Sequence, residues 1–98
     1  MTDTLKIGPL VYRITEIPEL KSEDDKRYLF GNILYEQQEV RLEANMTPIR
    51  KRMTLIHEAL HGIADIRGLN LSENAVISLG VALYELIRDN PWLGEAVE

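Results

Sequence analysis

Both histidines of this 98-residue chain fall in one string, His57-Glu58-Ala59-Leu60-His61. The pattern is HExxH, and its spacing makes a chemical claim that depends on a helix. Residues four apart on an α-helix lie on one face about a turn from each other, so two imidazole nitrogens can reach one metal ion. Glu58 projects about 100° round the helix from His57, near enough to hold a water at the ion without ligating it. Zinc is the expected ion. It lowers the pKa of a bound water to roughly 7, and the carboxylate takes the proton as general base.

The surrounding segment reads as that helix. Thr47 suits the N-cap and Pro48 the first helical position, which predicts a helix from Pro48 to Arg67 ending at Gly68. Ile49, Met53, Ile56, Leu60 and Ile63 form its apolar stripe and are expected in the core. His57 and His61 lie on the flank of that stripe, beside Arg50, Thr54 and Asp65, where groove-lining residues belong. After Leu69-Asn70-Leu71, Ser72 caps a second helix that should run to about Asp89 and stop at Asn90-Pro91. This helix is apolar nearly all round, with Val76, Ile77, Leu79, Val81, Leu83, Leu86 and Ile87, so burial is expected. Trp92 is expected to pack back as an anchor.

The first half reads as strands. Leu10–Ile17 alternates, with Leu10, Tyr12 and Ile14 on one face, before Pro18 ends it. The charge run Lys21–Arg27 predicts a solvated loop or short surface helix. Tyr28–Tyr35 is a second strand-like run, Glu36-Gln37-Gln38 a turn, and Val40, Leu42 and Ala44 mark a third strand. Two of these strands are expected to form a hairpin, in an order the sequence leaves open. The expectation is one α+β domain over 1–98, with strands in 1–46 and two helices plus a short tail in 47–98. A small antiparallel sheet would pack beside the HExxH helix, with a buried C-terminal helix.

Composition narrows the function classes. A net charge of −5 argues against general binding to nucleic-acid phosphates. The absence of cysteine excludes disulfides and any Cys-based zinc site, and fits a reducing cytoplasm. The N-terminus lacks the pattern of a signal sequence, and no apolar stretch is long enough to span a membrane.

A catalytic zinc site takes three protein ligands and leaves one position for water or substrate. With both histidines used, the third must be acidic. Asp65, on the same helix one turn past His61, is too far along a straight helix to converge on the ion. It reads equally well as a hydrogen-bond partner of a histidine and as a surface aspartate. Glu73 and Glu85 point about 120° apart on the second helix, so at most one faces the metal. Glu73 is favoured because it shares a face with Ile77, Gly80 and Tyr84, and a glycine inside a helix often marks close backbone approach. Geometry objects: in a tight helical hairpin, residue 78 would stand opposite His61, and Glu73 would lie nearer the loop. The first helix would have to bend or end near Gly62, or the helices cross steeply. Glu85 stays open as the rival. Tyr84 is a candidate oxyanion donor, though a packing role is the plainer reading.

The segments Gly31-Asn32-Ile33-Leu34-Tyr35, Thr54-Leu55-Ile56 running into the HExxH string, Leu71-Ser72-Glu73-Asn74-Ala75 and Val81-Ala82-Leu83-Tyr84 together resemble the ImmA/IrrE-like, phage-associated small zincins. The resemblance spans about two-thirds of the chain, from Gly31 to Leu93. It implies strands, an HExxH helix and a following helix with a zinc-binding glutamate near its start, a position Glu73 matches. It also implies peptide-bond hydrolysis in a bacterial or phage-infected cytoplasm, often with a transcriptional repressor as substrate. The chain is shorter than the larger members and has no helix-turn-helix domain. The expected activity is that of a zinc metallopeptidase acting on a protein or peptide: His57, His61 and Glu73 as ligands, Glu58 as base. The alternative is a non-catalytic zinc-binding or protein-interaction module that keeps the zincin fold. The sequence names neither substrate nor oligomeric state.

Overall fold

The computed structural model describes residues 3–97. Four strands precede two helices: β1 (Thr4–Ile7), β2 (Leu10–Ile17), β3 (Gly31–Leu34), β4 (Glu39–Glu43), α1 (Pro48–Arg67) and α2 (Glu73–Asp89). A short 3₁₀ turn, Pro91–Gly94, follows α2. The strands build one sheet in the order β1-β2-β4-β3.

The sheet consists of two hairpins laid side by side. Leu5 faces Tyr12 in the first, and Ile33 faces Val40 in the second. Gly8, at φ 55°, turns the first hairpin, and Gln38, at φ 50°, closes the second. The hairpins join through β2 and β4, which run parallel, Ile14 beside Val40. The sheet is therefore mixed, which corrects the expectation of an antiparallel one. The reason lies in residues 18–30. That long connection skips one strand position at the end where β2 finishes, so β3 runs back along the edge and β4 returns between them in the direction of β2. β1 escaped the sequence reading altogether: at 4 residues it is too short for alternation to register. The run Lys21–Arg27 is an exposed turn in which Ser22 donates to Asp24, with no helix.

Alternation places the core. Tyr12, Val40 and Leu42 are fully buried, with Ile7 almost so, and α1 covers them with Leu55, Ala59 and Ile66. Gly62 is part of this seam. A Cβ there would meet Ile7 Cδ1 at 2.7 Å, so the missing side chain lets the helix settle on the sheet.

Both helices have the expected ends. Thr47 Oγ1 accepts from the Arg50 amide at 3.2 Å, and Gly68 closes α1 in the left-handed region. Ser72 Oγ accepts from the Ala75 amide at 3.1 Å. Their packing differs from expectation. α1 is sandwiched between the sheet and α2, so its buried residues are Thr54, Glu58, Leu60 and Gly62 rather than one apolar stripe. Ile49 and Ile63 are exposed. α2 packs on α1 and on no strand among the described residues, so it buries one face only, at Val76 and Gly80. The buried C-terminal helix is thus corrected: Ile77, Leu79, Val81, Leu86 and Ile87 are exposed. Trp92 is 63% exposed, so it does not pack back as a buried anchor. No described helix is long and apolar enough to cross a membrane.

Candidate metal centre

His57 and His61 sit one turn apart on α1, their ring centroids 5.0 Å apart. Glu73, the first residue of α2, lays its carboxylate across both. Oε1 stands 2.9 Å from His57 Nε2, and Oε2 stands 3.1 Å from His61 Nε2. One ligand atom from each residue lies within 4.8 Å of the others, a cluster that could hold a metal ion. Ligand atoms around one tetrahedral zinc stand roughly 3.3–3.6 Å apart, so small outward shifts would make room for it. Two imidazole nitrogens and one carboxylate oxygen also form the donor set of catalytic sites that keep a fourth position open.

The geometric objection to Glu73 dissolves without a bend or an early helix end. α1 runs unbroken through Gly62 to Arg67. The backbone of Gly80 lies against His57, where a Cβ would stand 3.8 Å from the His57 Cα. His57 therefore meets α2 at two places, residues 73 and 80, which are about 10 Å apart along a helix. Its imidazole and the long Glu73 side chain reach toward each other across that distance. Backbone rise alone omits this reach.

The remaining candidates fall elsewhere. Glu85 is exposed and outside the cluster. Asp65 is exposed and makes no hydrogen bond to either histidine among the described residues. Its charge acts instead on Tyr12 and Tyr35, whose phenols burial already pushes up. Tyr84 lines a separate cavity on the other side of the helix pair, with the Arg88 guanidinium 5.8 Å from its ring centre.

Glu58 is 7% exposed, on a face of α1 turned inward. Burial, and then the nearby Glu73 charge, push its carboxyl up to about 7 in the metal-free protein. A carboxyl near neutrality suits proton transfer at physiological pH. Glu58, His57 and Glu73 line one cavity of about 400 Å³, walled by Phe30, by Gly31 at the start of β3, and by Ile77, Gly80 and Val81 of α2. β3 is an outer strand, paired on one side only.

The cavity walls were not legible in the sequence. Phe30 lay inside a run read as strand, and Thr54 was only a flank residue. Gly31 carried a signal that needs the fold to interpret. A Cβ there would stand 2.7 Å from Thr54 Cγ2 and 2.9 Å from the Arg41 carbonyl oxygen, so strand and helix meet through it. Comparisons of the chain with protein-family models, with curated proteins and with solved structures found no match.

Proposed function

We propose that this protein is a zinc-dependent metallopeptidase of the zincin type, akin to the ImmA/IrrE-like group. The observation that carries the reading is the meeting of His57, His61 and Glu73 at one point, with a buried Glu58 in the same cavity. In this reading the three residues hold Zn²⁺. The bound ion would polarise a peptide carbonyl and acidify a water. Glu58 would take the proton from that water and pass it to the leaving amine. Its burial excludes bulk solvent from the transfer. The free edge of β3 would align an extended substrate by main-chain hydrogen bonds, with Gly31 letting β3 sit close against α1 at the cavity wall.

One observation favours a second reading, a non-catalytic zinc-binding interaction module. Leu79, Leu86 and Ile87 of α2 are exposed apolar side chains outside the candidate site. A single experiment separates the two. Elemental analysis should find one zinc per chain in both the wild type and Glu58→Gln, while only the wild type cleaves a diverse peptide library. Stoichiometric zinc without cleavage would favour the module, and metal-free protein would sink both.

A further inference from the structure

Three consecutive cations, Arg50, Lys51 and Arg52, open α1, and the fold sends them three ways. Lys51 pairs with Glu16 of β2. Arg52 lines the cavity that holds Tyr84. Arg50 alone turns into the cavity of the metal centre. It has no carboxylate partner among the described residues, in a chain with 16 acidic residues against 11 basic ones. Its guanidinium lies over the Phe30 ring, 4.8 Å from the centroid. Stacking of that kind occupies the flat face of the group and leaves its N–H edge free for a bidentate acceptor.

Between Arg50 and the metal centre the walls are mainly apolar, Phe30, Met53, Ile77 and Val81, with Thr54 the one polar side chain. Glu58 and Glu73 sit at the opposite end. The cavity therefore carries one cation at its outer end, separated by mainly apolar walls from the metal cluster and Glu58 at the other. Arg50 precedes His57 by two turns, about 10 Å of helix rise, which an extended peptide covers in about three residues. Phe30 and Arg50 are both exposed, so the Arg50 end is open and a chain can continue past it.

We propose that this cavity selects a peptide by an internal Asp or Glu side chain, held by Arg50 about three residues from the bond attacked, with a large apolar residue between. The proposal rests on the peptidase reading of the metal centre, and it deepens that reading by giving it a substrate class. The carboxylate takes two N–H groups of Arg50, and that pairing sets the register of the chain over the metal centre.

Binding and cleavage test it separately. Zinc-loaded Glu58→Gln is titrated, by fluorescence anisotropy, with peptides acetylated and amidated at their ends. Each carries an apolar residue and Glu, Gln or Lys at the position to be read. The Glu peptide should bind about tenfold tighter than the Gln peptide, the factor one charge-assisted hydrogen bond supplies, and tighter still than the Lys peptide. Adding Arg50→Gln should erase the preference, and Arg50→Glu should reverse it toward Lys. Arg52→Glu should leave it intact. A preference that survives Arg50→Glu would mean that the acid ligates the metal directly, and overturns the proposal. So does affinity that needs a free C-terminal carboxylate in place of the internal acid, or equal binding of all three peptides. Cleavage by the wild type without regard to charge overturns the acidic subsite and leaves the peptidase standing. Charge-reversed binding with no cleavage by the wild type does the opposite.

Discussion

Two cavities flank the contact between α1 and α2. They are nearly equal in size, about 400 and 430 Å³, and the same two helices wall both. One gathers two carboxylates, a histidine of the metal cluster and a single cation. The other gathers Arg52, Arg88 and Tyr84 over Leu55, Ile56 and Ile87, with Pro91 at its end. The difference follows from the third wall. The first opens against the free strand β3, beside the turn of α2 that begins at Glu73. The second opens beside the end of α2, where Arg88 lies against the Tyr84 ring and pairs with Asp89. Helix pairing creates two grooves of similar size, and Glu73 at the start of α2, meeting the histidines in the middle of α1, gives one of them the cluster that could hold a metal ion.

The strongest way to break this contrast is to remove ligands. His57→Ala or His61→Ala should weaken zinc binding by more than about a hundredfold, with Glu73→Ala next in effect. Tyr84→Phe, Arg88→Ala and Glu85→Ala should leave affinity within about twofold, since they touch the other cavity or neither. Competition against a chromophoric chelator reads all six. Zinc loss on Glu85→Ala but not on Glu73→Ala would reassign the third ligand.

A smaller effect concerns the buried carboxyl in chelator-treated protein. The folded-state pKa of Glu58, about 7, lies above its ordinary value of 4.5. Below 4.5 both states hold the proton, and its contribution to stability is full. As pH rises toward 7 the unfolded chain releases the proton while the fold retains it, so stability falls. The loss is complete above that point, at roughly 3 kcal/mol. Glu58→Gln should flatten the dependence and raise the midpoint of urea unfolding at pH 8. An unchanged pH profile in that variant would show that another group carries it.

The smallest effects compare two glycines on the helices. A Cβ at Gly62 must displace Ile7 Cδ1 and Ile33 Cδ1, so Gly62→Ala should cost about 1–2 kcal/mol, net of its gain in helix propensity. A Cβ at Gly80 meets nothing closer than 3.8 Å, so Gly80→Ala should stabilise by about 0.5–1 kcal/mol. Thermal unfolding of the two variants should shift in opposite directions. Destabilisation by Gly80→Ala would mean that α2 needs a closer approach to His57 than the structure has.

Much of the fold could be read from local signals. The bounds of α1 and β2 and the ends of α2 follow from Thr47, Gly68, Ser72 and Pro91, because caps and breakers act within a turn of the backbone. The buried face of β2 followed from alternation at Tyr12. The misreadings share a cause. The stripe Ile49 to Ile63, the buried α2 and the anchoring Trp92 were each inferred as if an apolar face must find cover. Whether it does depends on how many layers pack around each helix, and no window of sequence contains that.

What the sequence determined by itself is the chemistry of one helix turn. HExxH places two imidazoles and a carboxylate on α1, and the caps at Thr47 and Ser72 set where each helix begins. Tertiary structure decided the rest: that the hairpins join in parallel, that Glu73 lies across both imidazoles, that burial raises Glu58, and that only Arg50 among three cations turns toward the site. The physical reason is range. Helix spacing and capping are contacts between near neighbours in the chain, while a metal centre and its cavity depend on side chains that reach across separate elements.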